Sequence, residues 1–490
     1  VGYSHTPSAL SHGTIVKLQV AETGLYSLSY EDIQRLGLKP DSIRVLGYGG
    51  NILPQDFSRR HLDDVPSVAF YMHKGEDGKF NKGDYIVFYA QGPVGWDANG
   101  SSFTHTRNSY SNYGYYFLSD EAGEQRLITE ASPVESLDWE KVDYYMDYRL
   151  HEIDKVNLVD ISGKEGGGRE FYGESMTVNN HTLSIPFTFA YIDTTHLMQA
   201  RIALAASSSD YSTFTIRIGE ITRTALAAGI DVSDFYTKAN IANSRITSIP
   251  QTSNSVKVDI DFANNVPSAK AYLNYIELIA RCRLIADKEP LFFRNIDGVG
   301  SYSDYQYRLI APAQTQVWDL TYPDDIHRVP ASLSGDTLCF ISSNDTVHEY
   351  VAVCPEQAHF LTPTIIGTIP NQNLHSLSNI DYVIVAPQDF YEDAVRLAKA
   401  HEQVDHLTWA VVTDQQVYNE FSSGTPDVSA IRWLMKMLYD RAETEDKMPK
   451  YLLLFGNGAF DNRMISNVWK GQNPDDYLLS FESENSFSET

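Results

Sequence analysis

Hydrophobic and polar positions change rhythm twice along the chain. Over residues 1–130 they alternate in short runs. "TIVKLQV" (14–20) and "LYSLS" (25–29) flank the turn "AETG" and predict a hairpin. "YEDIQRLGL" predicts a short helix, with Ser29 as its cap, Glu31 and Asp32 in its first turn and Gly37 near its end. "SIRVLGY", "VAFYM", "DYIVFYA" and "YGYYFLS" complete a β-rich N-terminal domain. "HKGEDGKFNKG" joins the middle two of these strands. Its Asp77-Gly78 is a turn signal, and it lacks the alternate-position oxygen ligands and closing Glu of a calcium-binding EF-hand, so it reads as a loop.

Residues 131–180 read as a connecting segment, acidic and aromatic at the start ("LDWEKVDYYMDYRL") with Gly166-Gly167-Gly168 in its middle. The triple glycine has no G-x-G-x-x-G frame and predicts a flexible turn. Residues 181–285 carry recurrent alternating runs: "TLSIPFTFAYI", "MQARIALAA", "STFTIRIG", "SVKVDIDFA" and "AYLNYIELIARCRLI". This spacing predicts an antiparallel β-sandwich or jelly roll.

From residue 286 the pattern shifts again. "YQYRLIA" and "DTLCFISS" are still strand-like, but "DYVIVAP" (381–387) is continuously apolar, as a strand covered on both faces must be. "FYEDAVRLAKAHE" (390–402) turns Ala394, Val395, Leu397 and Ala398 towards one side. "LTWAVVT" (407–413) is a second buried strand. "VSAIRWLMKMLYDRAE" (428–443) places Val428, Ile431, Leu434, Met435 and Leu438 on one face, and "YLLLF" is a third buried strand. The β-α-β-α-β order predicts three parallel neighbours and the first half of a doubly wound sheet over 286–490. Such sheets usually hold five or six strands, so an incomplete domain is expected.

Composition narrows the function. A length of 490 residues suits about three domains, and 42% apolar with 12% aromatic residues gives them cores. No apolar run reaches the ~18 residues of a membrane-spanning helix. "VGYSHTPSAL" has neither a charged n-region nor an apolar h-region, as expected of a mature chain whose signal peptide is gone. The net charge of −26 argues against nucleic acid or an anionic membrane as a bulk electrostatic partner. No cofactor is required; structural calcium stays open as an alternative use of the surplus carboxylates. Cys282, Cys339 and Cys354 show no metal-ligand spacing. Cys282 reads as a buried small hydrophobe, and Cys339 and Cys354, which flank a second hairpin, either pair or stay free.

In an open α/β sheet, chemistry gathers at the carboxyl edge of the strands. Here that edge would carry Pro387-Gln388, Asp414-Gln415 and the stretch Gly456 to Asp461, with Asn457 and Asp461 lining a cleft. A plainer alternative is that the glycines only turn the chain and Asp461 caps the segment after it. No catalytic residue and no metal ligand is assigned. "GNGAF" is not a G-x-S-x-G elbow, no H-E-x-x-H occurs, and no His or Cys comes after His406.

"YLLLFGNGAFDNR", with "PDVSAIRWLMKMLYDRAE" and "DYVIVAPQDFYEDAVRLAKAHE" before it, resembles the opening of a gingipain-type cysteine peptidase domain, which implies a caspase-like fold. "LQVAETGLYSLSYEDIQRLGL", "RVLGYGGNILPQ", "GEDGKFNKGDYIVFYAQGP" and "FTHTRNSYSNYGYYFLS" resemble the N-terminal region of the type IX secretion sortases. The resemblance implies a surface-located peptidase of Bacteroidetes that removes the C-terminal signal domain from secreted cargo. It further implies transfer of the cargo's new C-terminus to an anionic lipopolysaccharide, beside an outer-membrane barrel partner of the PorV type. The family's catalytic His, in a His-Gly motif, and its Cys lie on later strands, expected beyond residue 490, so this stretch alone is expected to be inactive. The alternative is a non-catalytic surface protein whose β-sandwich binds glycan or protein.

Overall fold

The computed structural model describes residues 7–158, 169–234, 237–301, 303–356 and 359–481; Gly166-Gly167-Gly168 and the first six residues lie outside them. The fold is β-rich and multidomain, with a small parallel α/β unit at its C-terminal end.

The N-terminal domain has a five-stranded antiparallel sheet in the order Thr364–Ile369, Ile15–Val20, Gly114–Ser119, Arg44–Leu46, Ser67–Val68. A second sheet holds Gly24–Ser29, Tyr85–Ala90 and Tyr71–His73. The hairpin expected over 14–29 therefore does not form. Its two runs go to different sheets, and the turn between them is a corner. Both runs are almost wholly buried, and Val16, Leu18, Leu25 and Leu28 share one core with Phe88, Trp318 and Val351. Alternation specifies a strand but not its partner. The helix after Ser29 forms as Tyr30–Arg35 with a full capping box: Ser29 Oγ accepts from Asp32 N, and the Asp32 carboxylate accepts from Ser29 N.

The middle domain is a sandwich of two antiparallel sheets. One contains Tyr144–Glu152, Lys270–Arg283 and Leu197–Ser207, with Ser175–Thr177, Asn240–Ile241 and Ser244–Pro250 attached; the other contains Thr182–Thr188, Ser255–Ala263, Ser212–Ile218 and Ile221–Ala227. Phe214, Ile216, Ile260, Leu273, Ile276 and Leu278 are fully buried between them. The sandwich starts well before residue 181: Tyr144–Glu152, expected in the connector, pairs over its full length with Lys270–Arg283. The hairpin Val94–Asn99/Ser102–Arg107 also went unread in the sequence. It fastens to the sandwich through His105, which lies between Glu277 and Glu152.

Residues 286–353 do not begin the α/β unit. They form two small sheets, one of Leu291–Arg294, Glu349–Val353, Gln316–Asp319 and His327–Arg328, the other of Trp139–Val142, Asp304–Ile310, Thr337–Ser342 and Ser332–Ser334. Alternate burial along Asp304–Ile310 and Thr337–Ser342 marks strands covered on one face only, in contrast to the uniformly buried Tyr382–Ala386. Thr337–Ser342 and Glu349–Val353 sit in different sheets, so no hairpin joins Cys339 to Cys354, and all three cysteines are free. Thr364–Ile369 then returns to the N-terminal sheet.

The α/β unit comes next in the chain. Tyr382–Ala386 is central, paired in parallel with Trp409–Thr413 on one side and Tyr451–Leu454 on the other. Helix Tyr391–Asp405 covers one face through Ala394 and Ala398; helices Asp414–Phe421 and Val428–Asp440 cover the opposite face with Val417, Phe421, Leu434 and Met437. The third strand is not buried as expected. Tyr451 is 56% exposed, Leu452 42% and Leu454 44%, because the strand is a sheet edge with no neighbour outside it among the described residues.

The unit is keyed into the N-terminal domain by residues 419–427. Ser423, in the left-handed region at φ 55°, accepts from Tyr48 N (2.9 Å) and Gly49 N (3.2 Å) and donates to Tyr115 O (2.9 Å). Asp427 caps the last helix through Ser429 N and also accepts from Leu53 N at 2.9 Å. Gly47 has φ 119°, and a Cβ there would lie 2.6 Å from Ser423 Oγ. Replacing Gly47 by Ala should therefore cost about 2–3 kcal/mol, from backbone strain plus a displaced key. Gly78→Ala, at φ 69° with no atom within 4 Å of the new Cβ, should cost about 1 kcal/mol. Denaturation midpoints of the two variants check this order; equal midpoints would contradict it.

Candidate functional site

The carboxyl ends of the three parallel strands bring together the groups expected there. Gly456 approaches the first strand's exit so closely that a Cβ would sit 3.1 Å from Pro387 Cδ. The segment Pro474–Ser480 runs alongside: Leu478 N donates to Asn457 O at 2.8 Å, and Asn462 exchanges two 2.9 Å hydrogen bonds with the Ser480 backbone. Asn457 is exposed at this rim, and its main chain is the part the protein uses.

Asp461 lies in the same loop but turns inward. It is 1% exposed, and its carboxylate accepts from Arg463 N (3.1 Å), Ile465 N (2.7 Å) and Ser466 N (2.7 Å). A carboxylate so bound holds a turn shut and is not free to meet a substrate. The loop is then pinned from outside. Arg463, its side chain 3% exposed, reaches Asp154 of the sandwich domain at 2.6 Å and Asn112 of the N-terminal domain at 3.2 Å, and stacks over Phe171.

Two charged groups meet at this edge: Asp414, which the sequence placed there, and Lys17, which it did not. Asp414 opens its helix at 2% exposure, and burial, with Asp475 nearby, pushes its carboxyl up to about 7. Lys17 arrives from the N-terminal sheet, 7% exposed; burial draws its ammonium down to about 8 against the pull of Asp475 and Asp414. Its Nζ donates to Asn419 Oδ1 at 3.0 Å and lies 4.7 Å over the Tyr115 ring. Both groups titrate near neutrality, as acid–base groups at clefts do. No local signal links Lys17 to Asp414, since the chain separates them by almost 400 positions.

Acyl transfer by a thiol needs a thiolate, a base in reach of it and an oxyanion site. Among the described residues, neither Cys nor His stands at the carboxyl edge. Cys282 is buried in the sandwich, and burial pushes its thiol up to about 12. Cys354 meets Thr315 Oγ1 at 3.1 Å in the small sheets. His401 and His406 end helix Tyr391–Asp405, at the opposite pole of the sheet.

One group of metal-ligand type occurs among the described residues: Asp64, His375 and Glu420. The lone pairs of Glu420 and His375 are already taken. Glu420 accepts from Gln372 Nε2 (2.7 Å), Leu374 N (2.8 Å), His375 N (3.0 Å) and His375 Nδ1 (2.7 Å). Asp64 accepts from Ser8 Oγ and Ala9 N, both at 2.7 Å. His375 Nε2 bonds Asp63 at 2.8 Å. Burial opposes charge on His375, but hydrogen bonds to Asp63 and Glu420 outweigh it and raise the imidazole to about 9. With both ring nitrogens donating, no lone pair is left for a metal. The residues form a joint between domains.

Residues 375–489 match the model of peptidase family C25. No curated protein sequence matches the chain. Dimeric latent PorU from Porphyromonas gingivalis is 28% identical, with a TM-score of 0.83 over 99% of this chain and 45% of its own. The chain thus spans less than half the length of that protein. A carbohydrate-binding CBM36 module in complex with calcium and xylotriose (18% identity, 26% of this chain, 99% of its own) and the CBM36-1 domain of a xylanase from the hindgut metagenome of Trinervitermes trinervoides (13%, 27%, 96%) align at TM-scores of 0.17 and 0.18, too low to bear on function. Taken with the parallel sheet and its carboxyl-edge loop, the match over 99% of the chain and the C25 segment make this chain PorU-like, with a peptidase family C25 segment at residues 375–489.

Proposed function

We propose that the chain forms the N-terminal, accessory and opening peptidase portion of a surface sortase. Such an enzyme cuts the C-terminal signal domain from type IX secretion cargo and passes the cargo to an anionic lipopolysaccharide, next to a barrel partner of the PorV type on the outer membrane. The observation that carries this is the likeness to PorU over 99% of the chain. The strand Tyr451–Leu454, unpartnered on its outer side among the described residues, supports it: its half-exposed Leu452, beside Phe57, Ile431, Met435 and Tyr439, leaves an apolar groove open. In this proposal further strands add to that edge, complete a caspase-like sheet and bring the catalytic His and Cys to its carboxyl end. Asn457 lines the cleft, Asp461 sets the loop, and Lys17 and Asp414 supply charge at its floor. No helix among the described residues is long and apolar enough to cross a membrane.

Residues 1–490 incubated with a cargo protein bearing its C-terminal signal should show no cleavage above the background, and addition of the downstream half should restore it. Cleavage by residues 1–490 that Cys354→Ala abolishes would contradict the proposal. The loop makes a second prediction. Asp154→Asn leaves Arg463 buried without its charge partner, a loss of about 3 kcal/mol for such pairs. Amide exchange over residues 456–466 should speed up at least about tenfold, while Lys270–Arg283 keeps its protection. Unchanged exchange in the loop would show that Arg463 does not hold it.

A further inference from the structure

A cavity of about 680 Å³ lies far from the carboxyl edge, where three units meet. The N-terminal domain contributes the turn at Glu22 and the start of the hairpin at Trp96; the sandwich contributes Asp147 to Arg149; one small sheet contributes Phe292, Arg294 and Glu349. Volumes of about 300–1,000 Å³ are typical of small-ligand sites.

Its two central charges stand in an unusual relation. Arg294 and Glu349 are directly opposed on antiparallel strands, the register in which opposite charges normally close on each other. They form no ion pair here. Arg294 is instead clamped between the Phe103 ring (4.3 Å) and the Tyr148 ring (4.7 Å) and donates one Nη1 hydrogen bond to Trp96 O at 2.7 Å. The guanidinium is 7% exposed, and its Nε and Nη2 have no partner. Glu349 is half-buried at the cavity wall, with no side-chain hydrogen bond among the described residues, and desolvation raises its pKa. Leaving a buried polar group unpaired costs about 1–3 kcal/mol, so the two open guanidinium nitrogens of Arg294 call for a partner from the cavity.

The rest of the lining defines that partner. Asp147 is already engaged by Arg149 at 2.6 Å, so Arg294 and Glu349 are the open charges of the inner wall, with the exposed carboxylates of Glu22 and Asp97 at its margin; a neutral ligand with hydroxyls suits the inner pair. Asn51, Gln91 and Thr321 add amide and hydroxyl groups, and the rings of Trp96 and Tyr148 add flat apolar surface. A molecule with apolar ring faces and a rim of groups that both donate and accept matches this wall; sugars have that form. An anionic side chain would be repelled by Glu349, Glu22 and Asp97.

We propose that this cavity is a carbohydrate-binding site that takes one or two neutral sugar units, with one hydroxyl donating to Glu349 and its neighbour accepting from Arg294. The site is separate from the cleft proposed above and does not depend on the peptidase reading.

The test is an array of neutral xylo-, manno-, malto- and galacto-oligosaccharides probed with the 490-residue chain, followed by calorimetric titration of the best-retained sugar. Saturable binding is expected, weakened at least about tenfold by the isosteric Glu349→Gln in a variant of unchanged melting temperature. Amide exchange of the wild-type chain with that sugar supplies a readout independent of the variant's folding: protection should appear at residues 291–294 and 347–349. Retention of no sugar, binding indifferent to Glu349→Gln, or protection confined to the sandwich sheets would each overturn the proposal. So would a basic peptide, Gly-Lys-Gly, that binds in place of any sugar.

Discussion

One buried carboxylate decides how the parallel sheet sits on the rest of the molecule. Glu420 is 0% exposed and receives four N–H donors, two of them from His375. The charged imidazole of His375 continues to Asp63 and lies flat on Phe421, 4.7 Å away at 9°. Gln372 extends the network through Asn419 to the Lys17 ammonium. Opposite charges from two domains are thereby removed from water together. Either charge alone would be untenable at this depth, and breaking such a pair costs about 3–5 kcal/mol. The orientation of the sheet follows from that constraint, and so does the arrival of Lys17 at its carboxyl edge.

A second buried histidine at the same joint shows that the environment, not the residue type, sets the charge. His61 stacks on Trp433 at 4.0 Å and 6°, and neither of its ring nitrogens has a partner. Burial draws it down to about 4, with the His375 charge adding to the effect, so it is neutral where His375 is charged. Trp433 owes its burial to this contact. It lies off the helix face expected to meet the sheet and packs instead under Phe57 and His61 of the N-terminal domain.

The parts of the fold legible in the sequence were those where one periodicity dominated. Tyr382–Ala386 and Trp409–Thr413 are continuously apolar and proved to be buried parallel strands, and the helix cap at Ser29 was in place. Helix Asp414–Phe421 was missed because its buried positions include Asp414, Asn419 and Glu420, polar residues that the joint satisfies and that hide the apolar stripe. Strand partners were illegible for another reason: Ile15–Val20 pairs with Thr364–Ile369, and only the closed fold brings them together. At the candidate site, the loop after Gly456 was legible from its glycines, and the plainer alternative, Asp461 capping the segment after it, is the arrangement the structure has; the charges of Lys17 and Asp414 depend on burial that no local pattern encodes.

The central claim is that His375 is a buried imidazolium held by Glu420 and Asp63. A folded-state value near 9, above the free value of 6.5, means that the stability it contributes is complete below pH 6.5 and fades as the pH rises through 9. The direct measurement is an NMR titration of the chain labelled with ¹³C-histidine, with the His375 and His61 resonances assigned by His375→Gln and His61→Gln. The structure predicts that His375 holds its proton until about pH 9 while His61 stays neutral down to about pH 4. A His375 midpoint at or below 6.5 would contradict the account.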